Sequence, residues 1–286
     1  MRILGLSAGS TGGSVEIVLS AALGAAREAG ADAELVRLDE VDDPDWLWER
    51  LVECDGLIVA TPIISRTMAA GLKVMVDRLL GPNADAAIIE HLVGLRAAGN
   101  EPVVPFRVDE RVLKPRVAGF LAVGGSLTPQ WKALALPLLH TVTFSMHIAV
   151  VDQVVFGGAG TPRSIVLDDA ALERAGRLGA NVAGQLGRAF DEAEYRGEPG
   201  LCPMCHLNVV TLDATAVECA TCGARGVLTA GGVEWTDLDS SVISMAEKRA
   251  HAAEIQETAA RHQALRSRID ERVAALPPFE PVARPS

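Results

Sequence analysis

Five short apolar runs, each followed by a segment with helical spacing, recur through the first 195 residues of the chain. They cover residues 2–6, 35–38, 56–60, 117–123 and 147–155. Strands that alternate with helices of this length predict a parallel sheet with helices on both faces, in a doubly wound α/β arrangement. Hydrophobic residues make up 49% of the chain and aromatic residues only 4%, so Val, Leu, Ile and Ala must fill the core, as in buried parallel sheets.

The length and charge of the chain restrict its organisation and its partners. A chain of 286 residues predicts one main domain with an appendage. The formal net charge of -11 argues against binding to nucleic acid or to an anionic membrane, since phosphate contacts need clustered Lys and Arg. We expect a cytoplasmic protein, because no apolar run has the length of a membrane span or a signal peptide.

Changes in composition predict four regions. These are a main domain over 1–195, a small β module over 200–237, a C-terminal helix over 238–276 and a loose tail over 277–286. Apolar residues recur in the third region at three- and four-residue steps, among them Val242, Met245, Ile255, Leu265, Ile269 and Val273. Such a stripe favours packing on a second copy, so we expect a homo-oligomer.

Three of the predicted strands end in polar loops marked by Gly or Pro. The loop over 7–14 reads SAGSTGGS and leads directly into a helix, whose N-terminus favours a phosphate. It matches neither GxxxxGK[ST] nor GxGxxG, which argues against ATP and against a Rossmann nicotinamide site. Taken alone it could be an ordinary turn. The loops over 61–68 and 124–128 follow two further strands at the same sheet edge and favour a ligand site there.

The chain resembles the NADPH-dependent FMN reductase family of flavodoxin-like proteins over residues 1 to about 190. The resemblance is carried by ILGLSAGST with Gly13 and Ser14, by DGLIVATP with Met68 and the helix LKVMVDR, and by FLAVGGS with Met146 and His147. It implies a five-stranded flavodoxin-like sheet and an FMN site. Many family members carry an aromatic residue shortly after the Thr-Pro, where this chain has Ile63, Ile64 and Ser65.

The resemblance also implies which residues hold the flavin. The FMN phosphate would be held by Ser7, Ser10, Thr11, Gly12, Gly13, Ser14 and Val15. The isoalloxazine ring would lie along Thr61, Pro62, Ile63, Ile64, Ser65, Arg66 and Met68, with Gly124, Gly125 and Ser126 at its other edge.

Two functions follow from this resemblance. The first is an FMN-dependent NAD(P)H oxidoreductase in which nicotinamide stacks on the flavin. Reducing equivalents then pass to a small molecule, namely a quinone-like, aromatic or flavin acceptor. The flavin carries the chemistry, so no catalytic side chain is predicted. The alternative is a non-catalytic flavin- or nucleotide-binding module that recruits a protein partner through its β module.

Two cysteine pairs in the β module predict a metal site. Cys202 and Cys205 form one C-x2-C pair, Cys219 and Cys222 form the other, and residues 206–218 separate them. Two such pairs complete a tetrahedral structural zinc site, and the short apolar runs around them predict a zinc ribbon. Disulfides, a rubredoxin-like iron site and free thiols are the alternatives, and disulfides fit a cytoplasmic chain poorly.

The surroundings of the ribbon and the fifth cysteine add two expectations. Arg225 is the only Lys or Arg between Leu201 and Trp235, which disfavours nucleic-acid binding by the ribbon. The ribbon could instead pack over the flavin, join subunits or dock a protein partner. Cys54 precedes an apolar strand and is interpreted as a structural thiol.

Overall fold

A five-stranded parallel sheet forms the centre of the first part of the chain. The computed structural model describes residues 1–100 and 104–278. The strands are β1 Arg2–Ser7, β2 Asp32–Arg37, β3 Gly56–Pro62, β4 Val117–Val123 and β5 Ala149–Phe156. All neighbours are parallel, in the order β2-β1-β3-β4-β5. This order is that of the flavodoxin-like fold, and it confirms the predicted fold class.

Helices cover both faces of this sheet. They are α1 Ser14–Glu28, α2 Pro44–Glu53, α3 Ala70–Leu79, α4 Ala86–Ala97, α5 Ala135–Leu139 and α6 Asp169–Ala183. Alternate residues of each strand point to opposite faces, so that Ile58 packs beneath α1 and α6 while Leu57 and Val59 pack beneath α2 and α3. Each face therefore buries its own apolar cluster.

Two helices are shorter than their spacing predicts. A helix expected over 129–145 is reduced to α5, with 3-10 turns at 129–131 and 140–142. Pro137 lies inside α5, where a residue without an N–H cannot complete the helical hydrogen bonds. A helix expected over 168–194 ends at Ala183, and Gly187 with a φ of 80° follows it.

The cysteine-containing module forms a second sheet. Its strands are β6 Val210–Asp213, β7 Ala216–Cys219, β8 Arg225–Thr229 and β9 Gly232–Asp237, antiparallel in chain order. It belongs to the same compact unit, Met1–Lys248, as the parallel sheet. Gln153 of β5 donates from Nε2 to the carbonyl oxygen of Cys205 over 2.7 Å, and the rings of Tyr195 and His206 stack at 3.7 Å.

The second unit spans residues 249–286 and is helical where described. Where one helix is predicted over 238–276, the structure has α7 Met245–Ala264 and α8 Arg266–Ala274, separated at Leu265. Helix α7 begins at Met245 because the hydroxyl of Ser244 accepts from the N–H of Glu247 over 3.0 Å. Of the predicted tail, residues 279–286 lie outside the described residues.

The length and apolarity of the helices decide whether one of them could cross a membrane. In the described part of the chain, none combines the length and the apolarity that crossing a membrane requires.

Candidate functional site

Four loops lie side by side at the carboxyl edge of the parallel sheet. We call residues 7–14, 61–68, 124–131 and 157–163 the carboxyl-edge loops. Backbone hydrogen bonds tie each of the first three loops to the next strand end: Ala8 N–H to Ala60 O (2.9 Å), Ile63 N–H to Val123 O (2.7 Å) and Gly124 N–H to Phe156 O (2.9 Å). The sequence analysis identified the first three loops, and the structure brings them together with a fourth.

The first loop ends in an open helix N-terminus. Gly12 has a φ of 66°, and the N–H of Gly13 bonds to the carbonyl oxygen of Ser10 over 2.9 Å, which closes a tight turn before α1. Gly13 is the N-cap residue and supplies no side-chain cap. The hydroxyl of Ser14 is buried and has no hydrogen-bond partner among the described residues. Open N–H groups and an unpaired buried hydroxyl fit an anionic ligand such as a phosphate.

Four residues of the predicted flavin set have buried side chains. The hydroxyl of Ser7 faces the N–H of Gly9 at 3.4 Å, and that of Thr61 accepts from the N–H of Ala69 over 2.9 Å. Val15 and Met68 are 5% and 7% exposed and pack in the apolar clusters. These side chains shape the loops, so they offer a ligand mainly their backbone groups.

The second loop contains a tight turn with an unusual backbone. Ile64 and Thr67 exchange two backbone hydrogen bonds of 2.9 and 3.0 Å, and the residues between them, Ser65 and Arg66, have φ values of 49° and 75°. A left-handed conformation costs a non-glycine residue roughly 1–2 kcal/mol, and such residues concentrate at functional sites. The Nε of Arg66 donates to the carbonyl oxygen of Gln130 over 2.8 Å, which joins the second loop to the third.

The third loop combines close packing with exposed apolar side chains. A Cβ on Gly125 would lie 2.9 Å from the Cα of Gly160, so these two loops touch through backbone atoms. The exposed fractions of Leu127 and Trp131 are 78% and 57%, and that of Ile64 on the second loop is 56%. The sequence analysis did not identify Trp131 as a site residue, because Trp131 lies beyond the segment 124–128 that was assigned to the loop.

The fourth loop was also missed. It reads GGAGTPR over 157–163 and follows β5 at the same edge as the other three. Its composition is a signal that could have identified it. Arg163 is exposed, has a φ of 66°, and places its Nη2 atom 3.3 Å from where a Cβ on Gly12 would stand. A cation thus lies beside the phosphate-facing turn.

The four cysteines of the ribbon meet at one point. Their Sγ atoms all lie within 4.8 Å of one another, with Cys202 to Cys222 at 3.6 Å and Cys205 to Cys219 at 3.4 Å. Thiolates bound tetrahedrally about 2.3 Å from zinc lie about 3.8 Å apart, so the spacing fits a four-cysteine metal site. All four side chains are buried.

Both cysteine pairs have the same backbone form. In the first, the N–H of His206 bonds to the carbonyl oxygen of Cys202 over 2.9 Å, and in the second, that of Gly223 bonds to Cys219 over 2.8 Å. His206 and Gly223 have φ values of 57° and 80°. The fifth cysteine, Cys54, is elsewhere and is 1% exposed; burial raises the pKa of its thiol to about 11, which fits a structural role.

Comparison with known proteins identifies the family. The profile of the NADPH-dependent FMN reductases matches residues 1–160, more than half of the chain. The chain belongs to this family. Membership implies FMN and NAD(P)H, and it makes the protein an NAD(P)H-dependent flavin oxidoreductase. The open N-terminus of α1 and the orphaned Ser14 hydroxyl fit the phosphate of FMN.

Two relatives extend beyond the family's shared domain. Flavone synthase cfoJ of Aspergillus candidus is 37% identical over 262 residues, which is 81% of this chain and 79% of that protein. A solved structure of a flavone reductase is 27% identical and superposes with a TM-score of 0.82 over 98% of this chain and 100% of that one. The second match therefore includes the ribbon region as well as the parallel sheet.

Proposed function

We propose that the protein binds FMN at the carboxyl-edge loops and uses NAD(P)H to reduce a flavone-like acceptor. One observation carries the flavin assignment. The unpaired, buried hydroxyl of Ser14 sits at an uncapped helix N-terminus, within a loop that is bonded to the neighbouring strand end. A dianionic phosphate would satisfy both the hydroxyl and the open N–H groups.

This position of the phosphate determines which part of the flavin each of the other predicted residues would contact. The phosphate would contact the hydroxyls of Ser10, Thr11 and Ser14 and the open N–H groups in the first turn of α1, which follow the turn at Gly12 and Gly13. The ring would extend along Pro62 to Arg66 towards the backbone of 124–126. When bound, FMN supplies the two-electron chemistry that connects NAD(P)H to the acceptor. The chain's own part is to hold the phosphate, position the ring and keep an apolar surface open above it.

The acceptor class is inferred from the relatives and from the exposed apolar side chains. One relative is named for forming a flavone and the other for reducing one, and a flavone is a planar aromatic ketone with a conjugated C=C bond. Ile64, Leu127 and Trp131 present apolar surface on adjoining loops, which suits a flat aromatic molecule. In the net reaction, hydride from NAD(P)H adds to the β carbon, a proton from water adds to the α carbon, and NAD(P)+ and the saturated ketone are released.

The test begins with the purified protein, FMN and NADPH under anaerobic conditions. We expect a yellow protein whose visible flavin absorbance is bleached by NADPH and restored by flavone, with flavanone detected by chromatography and mass spectrometry. A protein that bleaches but is reoxidised by a quinone and not by flavone would overturn the acceptor class only. A colourless protein that FMN cannot reconstitute would overturn the proposal as a whole.

Two tryptophan variants test the acceptor surface. Trp131→Ala is expected to lower kcat/KM for flavone about tenfold, because a stacking surface is lost, while the rate of bleaching by NADPH stays unchanged. Trp46→Ala is the matched control, since Trp46 is 41% exposed but belongs to α2. Equal effects of the two variants would contradict a role for Trp131 in acceptor binding.

We also propose that the metal of the ribbon is zinc and that its role is structural. Four buried sulfur ligands leave no open position for a substrate, and a closed four-cysteine set is typical of structural zinc. Ligation would supply part of the folding free energy of a module with a small core.

The other expectations concern assembly and location. We propose that the chain forms a homo-oligomer through α7 and α8, where Ile255, Leu265, Ile269 and Val273 are 37–61% exposed. Light scattering of the full chain and of a chain ending at Lys248 tests this by giving the number of subunits in each particle. The same number of subunits with and without residues 249–286 would contradict it. A cytoplasmic location and a protein partner of the ribbon stay predictions.

A further inference from the structure

Arg163 stands out among the charged residues near the carboxyl-edge loops. It ends the fourth loop, and its Nη2 and Cζ atoms lie 3.3 and 3.9 Å from the position of a Cβ on Gly12. The guanidinium thus covers the turn that precedes α1. The backbone of Arg163 is left-handed, with a φ of 66°, which costs a non-glycine residue free energy and is retained where the surroundings require it.

The backbone beside Arg163 is firmly held. The N–H of Ala159 bonds to the carbonyl oxygen of Gly124 over 3.1 Å, and the N–H and hydroxyl of Ser164 both bond to the carbonyl oxygen of Thr161. Ile165 is 3% exposed and packs in the same apolar cluster as Val15 of α1. The start of the Arg163 side chain is therefore fixed relative to the first turn of α1.

The first loop supplies no positive charge to balance a bound phosphate. Residues 7–14 contain no Lys or Arg. Glu16, in the first turn of α1, is bound by Arg37 through hydrogen bonds of 2.7 and 2.9 Å, and these two charges cancel. A phosphate dianion at this turn would add two negative charges beside Glu16. The guanidinium of Arg163 forms no hydrogen bond or ion pair with any residue in 1–100 or 104–278.

We propose that Arg163 pairs with the phosphate of FMN and makes the protein select FMN over riboflavin. The inference rests on the proposed function, since it requires the flavin phosphate at the first loop. A guanidinium can bind two phosphate oxygens at once through its planar fork of N–H donors. Arg163 thus supplies the positive charge that the first loop lacks, although it is about 150 residues away in the sequence.

Binding of two flavins by the apoprotein tests the proposal. We expect Arg163→Gln to weaken FMN binding about tenfold or more, measured by quenching of flavin fluorescence, and to leave riboflavin binding unchanged. The salt dependence of FMN binding should become shallower in the variant. Arg163→Gly should behave in the same way, and because glycine accepts a positive φ, it separates loss of charge from backbone strain. Arg188→Gln, an exposed arginine after α6, serves as the control.

Several outcomes would overturn the proposal. Equal weakening of FMN and riboflavin binding would mean that Arg163 only shapes the loop. Unchanged FMN binding with a higher KM for NADPH, but not for NADH, would assign Arg163 to the 2′-phosphate of the nucleotide. If the unaltered protein binds neither flavin, the proposed function itself fails. If it binds both with equal affinity, only the selection by Arg163 fails.

Discussion

Asp152 of β5 and Arg174 of α6 form a buried, bidentate ion pair, with Nη2–Oδ1 and Nη1–Oδ2 distances of 2.6 and 3.1 Å. The side chain of Asp152 is fully buried, and Asn181 donates to its Oδ2 atom over 2.7 Å. Arg174 also binds Glu198, in the segment that leads to the ribbon. The pair therefore connects the edge strand, the last helix of the parallel-sheet domain and the approach to the metal site.

Removal of Arg174 is expected to be strongly destabilising. Arg174→Met leaves the carboxylate of Asp152 buried without its cation, which should lower the free energy of unfolding by about 3–5 kcal/mol in urea denaturation. The double variant Arg174→Met with Asp152→Leu should recover much of this loss, because no buried charge remains. A loss below about 1 kcal/mol in the single variant would show that water reaches Asp152.

The cysteine cluster is expected to bind one zinc ion per chain. Cys205→Ser should reduce the zinc content measured by mass spectrometry to background, because one of four ligands is lost. Cys54→Ser is the matched control, since Cys54 is also buried but lies apart from the cluster, and it should keep full zinc content. Iron in place of zinc would contradict the choice of metal, and full metal content in Cys205→Ser would contradict the site.

The sequence allowed the strands and the metal ligands to be predicted, since both depend on local patterns. The continuous apolar runs that form β3 and β4 and the spacing of the cysteine pairs can be recognised without knowledge of distant residues. Arg163 and Trp131 could not be assigned in that way. Their significance depends on which loops the sheet order brings together, and the left-handed backbone at Ser65, Arg66 and Arg163 is set by tertiary contacts.

The bond from Arg66 to Gln130 is expected to matter for activity more than for stability. Arg66→Gly loses the bond that holds the third loop, so kcat/KM for the acceptor should fall about tenfold. The free energy of unfolding should change by less than about 1 kcal/mol, because relief of the left-handed backbone offsets the greater chain entropy of glycine and the loss of an exposed bond. A loss of stability above about 2 kcal/mol would contradict this separation.

His140 is expected to make the stability of the protein depend on pH. Its ring is 1% exposed, and its Nε2 atom lies 2.9 Å from Oε1 of Gln153, whose amide N–H binds Cys205. Burial lowers the pKa of His140 from 6.5 to about 4. Between these values the unfolded chain takes up a proton that the folded chain does not, so the folded state loses stability as the pH falls.

The resulting loss is large enough to measure. Between pH 7 and pH 5 the unaltered protein should lose about 2 kcal/mol of unfolding free energy through this one group. His140→Leu removes the titration, so its stability should fall less steeply over the same range, with excess zinc present to keep the cysteines ligated. His251→Gln is the control, because His251 is exposed on α7. If the unaltered protein and His140→Leu show parallel pH profiles, His140 has the same pKa in the folded and unfolded chains, which contradicts a lowering of its pKa by burial.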